Sequence, residues 1–370
     1  MITYTNQTKI AMPDPKAYLI TNREVSDKGG PNFISVNKAT GEYLRTDGRE
    51  TAQDDLRFGE INFELKKGKV KLSDFEVKLY PDLPYDELRK NTEDDSVKSA
   101  KKLSSFELFN TLHKKAKPGK QQRQDILFII HGYKNDLEVA LRTVHELYRQ
   151  YVVPKESPIE HIVMFTWPAR KNLLMYRDDA RDAVLSGYAL ARAYQKLRSF
   201  FHVLVREERP FCEANIHLMC HSMGNRVLES MLEHLQQSNQ RVNNLFTEGL
   251  LVGADVDYDT LEAPKPLNAI IDLCARVHIY YHQQDRALLI SETTKNAFNR
   301  LGLWGAKNSI ALPDDVYQCD VTDIEDEDDG IFEDFMEKVV HHWYYINSTA
   351  VIADIHSVLN GQLSLFADEF

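Results

Sequence analysis

The chain is most constrained by the stretch Asn215-Ile-His-Leu-Met-Cys-His-Ser-Met-Gly-Asn-Arg-Val-Leu-Glu-Ser-Met-Leu, centred on Ser222. Ile216, Leu218, Met219 and Cys220 form an apolar run that stops at small residues. Val227, Leu228, Met231, Leu232 and Leu235 then recur at helical spacing. The pattern predicts a strand, a sharp turn and a helix. A serine at such a turn projects its hydroxyl beyond the carboxyl end of the strand, beside the unpaired N–H groups of the first helical turn. Ser222 is therefore a candidate nucleophile and the amide of Met223 a candidate oxyanion donor, with His221 and Gly224 shaping the turn. Cys220 stands where a Gly-x-Ser-x-Gly elbow has its first glycine. Its side chain is small enough for the close approach of strand and helix, and it is expected to lie buried behind the serine without chemical work.

From Asp125 onward, apolar strands alternate with amphipathic helices. Strands are predicted at 125–130, 161–167, 216–220, 248–254, 276–281 and 316–321, and helices at 137–151, 180–205, 225–237 and 348–359. Near-continuous apolar strands suit a parallel sheet buried on both faces, so the expectation is an α/β fold: an open, mostly parallel sheet with helices on both sides. Before Asp125, strands are predicted at 17–23, 56–65 and 75–80, separated by glycine-rich and charged turns. A helix is predicted from Asp86 to about Lys117, carrying Val97, Ala100, Leu103, Phe106, Phe109 and Leu112 on one face.

In such sheets ligands sit at the carboxyl ends of the strands, and candidate residues stand there. His131-Gly132-Tyr133 follows the 125–130 strand, where Gly132 allows a tight turn and the amide of Tyr133 becomes a second oxyanion donor. Asp285 follows the strand ending at Tyr281 and is the preferred acid to orient a histidine, with Asp255 and Asp257 after the preceding strand as competitors. An acidic insert, 320–330, and a short amphipathic helix lead to His341-His342. One of these two histidines can reach back to the serine as general base and then acid; adjacent residues cannot both do so. Serine, acid and histidine in this chain order match a hydrolase triad.

Composition narrows the partners. A net charge of −11 argues against nucleic acid, which needs a basic patch. No apolar run approaches the roughly 20 residues that span a bilayer, and the first residues lack a secretory pattern, so a cytoplasmic location is expected. Cys212, Cys220, Cys274 and Cys319 are scattered without metal or disulfide spacing. Neither metal nor organic cofactor is expected.

Taken together, these motifs resemble the α/β-hydrolase superfamily, and in particular an uncharacterised bacterial branch of it. The resemblance rests on Thr21-Asn22-Arg23, His131-Gly132-Tyr133, Trp167-Pro168 followed by Tyr176, Asp179 and Ser186, His221 to Gly224, Asp255-Val256-Asp257, Asp285 to Leu288, and His342 to Tyr345. It implies His342 rather than His341 as the base, and it implies that the early strands belong to the hydrolase sheet. Residues 1–122 then form an N-terminal extension, and 123–370 the catalytic core, as one compact unit. The expected activity is that of an esterase- or lipase-like serine hydrolase acting on a small-molecule or lipid acyl substrate. Leu173, Leu174, Met175 and Tyr176 are candidates to line an acyl pocket. An acyltransferase with the same triad, or a scaffold that binds a protein partner through the acidic insert, are the alternatives.

Overall fold

The computed structural model describes residues 15–38, 40–48, 56–81, 101–116, 124–170, 176–294, 298–326 and 341–367. Seven strands run parallel in the order β12 (Val316–Asp320), β11 (Cys274–Tyr281), β10 (Phe246–Val252), β9 (Ile216–His221), β7 (Asp125–Ile130), β8 (Ile159–Thr166) and β1 (Lys16–Thr21). Antiparallel β5 (Arg57–Phe63) and β6 (Phe75–Leu79) extend the sheet beyond β1 to nine strands. The early strands thus share one sheet with the later ones.

The period-2 geometry of β7 shows how the sheet sorts its apolar side chains. Ile126 and Ile130 face the cluster formed with α1 (Ser104–Lys115), α3 (Tyr176–Arg206) and α4 (Gly224–Gln237). Leu127 and Ile129 face α2 (Leu137–Tyr151) and α9 (Thr349–Leu359). Burial on both sides is the physical reason these strands read as unbroken apolar runs. Two of the helices begin at a side-chain cap: Asp136 Oδ1 accepts from Val139 N at 3.0 Å, and Ser348 Oγ accepts from Val351 N at 3.1 Å. Gly187 lets α3 lie close against α4: an added Cβ there would fall 2.5 Å from Ser230 Cβ, and Ser230 Oγ donates to Val184 O at 2.8 Å. The edge at β12 is covered by the C-terminal segment, with Asp320 N donating to Phe366 O.

Several elements depart from the sequence-based expectation. A second, three-stranded sheet, β2 (Val25–Ser26), β4 (Glu42–Arg45) and β3 (Phe33–Asn37), occupies a stretch read only as turns. Its strands are short and bury only Val36 and Leu44 among their apolar side chains, too little for an alternating signal. The helix predicted from Asp86 begins at Ser104 within the described residues, and 86–100 lies outside them. Helix α3 starts at Tyr176, four residues before the predicted Ala180. Short helices α5 (Ile270–Leu273), α7 (Leu301–Trp304) and α8 (Tyr344–Asn347), and the longer α6 (Arg286–Thr294), were not anticipated. No helix among the described residues is long and apolar enough to cross a membrane.

Candidate active site

Ser222 occupies the turn between β9 and α4 with φ of 54°, a left-handed conformation that costs a non-glycine residue about 1–3 kcal/mol. The turn is held against that cost by four hydrogen bonds. Ser222 N donates to Val252 O at 2.9 Å, and Ser222 O accepts from Asn225 N, Asn225 Nδ2 and Asp255 N at 3.0–3.1 Å. Gly224 meets the end of β7 so closely that a Cβ there would fall 2.5 Å from Ile130 O. Gly132 brings the 131–135 loop against the elbow, where an added Cβ would lie 2.7 Å from Ser222 Cβ. The two glycines are what allow the loop and the serine turn to touch. Cys220 is fully buried, and burial pushes its thiol well above the ordinary range. Among the described residues the N–H of Met223, at the start of α4, has no acceptor.

Of the candidate acids and histidines, the structure brings together Asp285 and His342: Nδ1 of His342 lies 2.6 Å from Asp285 Oδ2. Asp285 is fully buried at the start of α6, and its other oxygen accepts from Leu288 N at 3.1 Å. Burial pushes its carboxyl above the usual carboxylate range, against the lowering pull of His342. His342 packs beside the serine turn through His221, whose ring centroid is 4.6 Å away and whose Nε2 donates to the His342 carbonyl at 3.1 Å. Tyr344 fixes the same segment to the sheet: its hydroxyl donates to Tyr280 O and accepts from Gly253 N at 2.8 Å.

The competitors go elsewhere. Asp255 accepts from Tyr176 Oη at 2.8 Å and Ser291 Oγ at 2.9 Å. Asp257 pairs with Arg300. His341 stacks on His282 with centroids 4.4 Å apart and planes 11° from parallel. Tyr176, considered for an acyl pocket, is buried with its hydroxyl on Asp255, while Leu173, Leu174 and Met175 lie outside the described residues. The ring of Tyr133 packs edge-on against Tyr176 at 5.5 Å.

Sequence reasoning gave no role to the residues behind the 131–135 loop. His131 stacks on Trp167 at 5.4 Å, Trp167 Nε1 donates to His131 O, and Trp167 N donates to His131 Nε2. A tryptophan closing an apolar strand and an arginine closing another, Arg23, were the available signals. Among the described residues no group of three His, Cys, Asp or Glu side chains is arranged to hold a metal ion.

The buried histidines set an acid limit. Burial, reinforced by Arg23, lowers His131 to about 3, and burial with His342 lowers His221 well below its ordinary value. Unfolded, both histidines take up a proton near pH 6.5; folded, they do not. Below pH 6.5 the unfolded state binds more protons, so stability falls by about 1.4 kcal/mol per pH unit per histidine until the folded values are reached. Urea unfolding is therefore expected to give a lower stability at pH 5 than at pH 7, the loss from these rings and from His282, lowered to about 4, outweighing the opposing gain from Asp179, whose carboxyl burial raises to about 7. Ring NMR that finds either histidine protonated in the folded protein at pH 5 would contradict the neutral assignment.

A family model described as "Alpha/beta hydrolase of unknown function (DUF900)" matches residues 104–355. No curated protein and no solved structure gives a significant match.

Proposed function

The chain belongs to this family of α/β hydrolases of unknown function, and on that premise we propose that it is a serine hydrolase, cleaving a carboxylic ester or related acyl bond through an acyl-serine intermediate. The observation that carries the reading is the 2.6 Å contact of Asp285 with His342, whose ring lies 4.6 Å from that of His221, the residue just before a serine held at positive φ. Asp285 accepts from Nδ1–H, which leaves Nε2 of His342 as the base and fixes the tautomer. His342 removes the Ser222 proton as Oγ attacks the acyl carbon. The negative oxygen of the tetrahedral intermediate is received by the N–H groups of Met223 and Tyr133. Collapse breaks the bond to the leaving alkoxide, which takes the proton from His342. Water then enters along the same path: His342 accepts its proton, hydroxide attacks the acyl carbon, and Ser222 leaves with the proton returned.

A series of nitrophenyl esters from acetyl to lauryl chains tests the reaction class. The reading predicts hydrolysis of at least the short members, and loss of that hydrolysis after treatment with a fluorophosphonate. A folded protein that cleaves none of them and does not react with the phosphonate would sink it.

A further inference from the structure

The 131–135 loop touches the serine turn on one side and a fully buried arginine on the other. Arg23 stands just beyond the end of β1 and is completely shielded from solvent. Its three nitrogens go to three separate neutral acceptors: Nε to Thr166 Oγ1 at 3.0 Å, Nη1 to Thr46 O at 3.3 Å, and Nη2 to Asn135 O at 2.9 Å. Among the described residues no carboxylate lies within ion-pair distance of it. Burial lowers the guanidinium to about 10, so it keeps its charge at neutral pH. Asp136, Asp179 and Asp47 oppose that shift from longer range, yet among the described residues no carboxylate touches the buried charge, and its placement needs a reason.

The acceptors supply one. Asn135 closes the loop, directly after Lys134, which has φ of 62°. Thr166 Oγ1 also lies 3.0 Å from His131 Nε2 at the loop's other end. Thr46 O accepts from Leu137 N as well, where α2 begins. One guanidinium therefore ties both ends of the loop to β1, β8 and the start of α2, with Gly132 between them pressed on Ser222.

We propose that Arg23 is a positioning residue for the oxyanion loop: by fixing Asn135 directly and His131 through Thr166, it holds the Tyr133 amide in place beside Ser222. The proposal rests on the serine-hydrolase reading. A lysine cannot replace the fork, because one nitrogen on a flexible stem does not reach three acceptors in three directions.

The test measures kcat and KM on a nitrophenyl ester for Arg23→Met, Arg23→Lys and Thr166→Val, with active-site titration to count folded molecules. Affinity for a trifluoromethyl ketone, whose adduct carries the oxyanion, is measured in parallel. Loss of one oxyanion donor lowers kcat by about 10²–10³ in comparable sites. Arg23→Met is therefore expected to lose about 100-fold in kcat per titrated site with KM nearly constant, and Arg23→Lys and Thr166→Val about tenfold. Ketone affinity should fall in step with kcat/KM, a change that a merely structural role would not produce. If Arg23→Met does not fold, Arg23→Lys and Thr166→Val decide. Variants with kcat within about twofold of wild type, or with losses confined to the titrated fraction, overturn the proposal. A wild type inert to ester and phosphonate would instead overturn the serine-hydrolase reading, and this proposal with it.

Discussion

Exchange of His342 for alanine is expected to lower turnover of an activated ester by about 10⁵–10⁶, the loss seen when a triad base is removed and the serine keeps its proton. His341→Ala should retain activity within about threefold of wild type. The two residues are adjacent, yet their rings serve different neighbours. His342 places Nδ1 on Asp285, whereas His341, at φ of 62°, turns its ring onto His282. The check is kcat for both variants after confirming equal far-ultraviolet circular dichroism. Equal losses would remove the distinction between them, and a larger loss for His341→Ala would reverse it.

Asp285→Asn carries the next largest effect. The amide keeps the size of the carboxyl but can donate to Nδ1, which favours the tautomer with its proton on Nε2, where no base is left for Ser222. Comparable substitutions lower kcat by about 10⁴. Asp255→Asn is the matched control, since Asp255 is equally buried and also follows a parallel strand. It accepts from Tyr176 and Ser291 and not from a histidine, so its substitution should cost stability more than turnover, with kcat reduced less than about 100-fold. A greater loss of kcat in Asp255→Asn would move the acid to β10.

The contrast between these two aspartates also marks how far the sequence could be read. Both follow apolar strands and both lie in resembling motifs, so the sequence offered Asp285 first but left Asp255 and Asp257 as competitors. What separates them is the position of Tyr176 and Ser291, and Ser291 lies on α6, a helix the apolar pattern concealed. Leu288 is buried there while Leu289 and Ile290 are exposed, which inverts the usual relation between apolar residues and burial. The parallel strands were legible because burial on both faces leaves them uniformly apolar. The small sheet around Val36 and Leu44 was not, because two buried side chains make no period. Arg23 illustrates a different limit: an arginine at a strand end gives no sign of burial, and its three neutral acceptors, drawn from β8, the 131–135 loop and Thr46, together with the longer-range pull of Asp136, Asp179 and Asp47, accompany its complete burial.

The helix-start geometry at Ser222 is the feature on which every chemical statement depends. Its positive φ and the two close glycine contacts set a small hydroxyl side chain beside the unaccepted N–H of Met223, the arrangement the proposed chemistry requires. The most direct measurement is incubation of the purified protein with a fluorophosphonate, followed by intact-mass and peptide analysis, with Ser222→Ala treated alongside. The account predicts one phosphonate per chain, carried by Ser222, and no adduct on the variant. An unlabelled wild type of native fold, or equal labelling of wild type and Ser222→Ala, would contradict it.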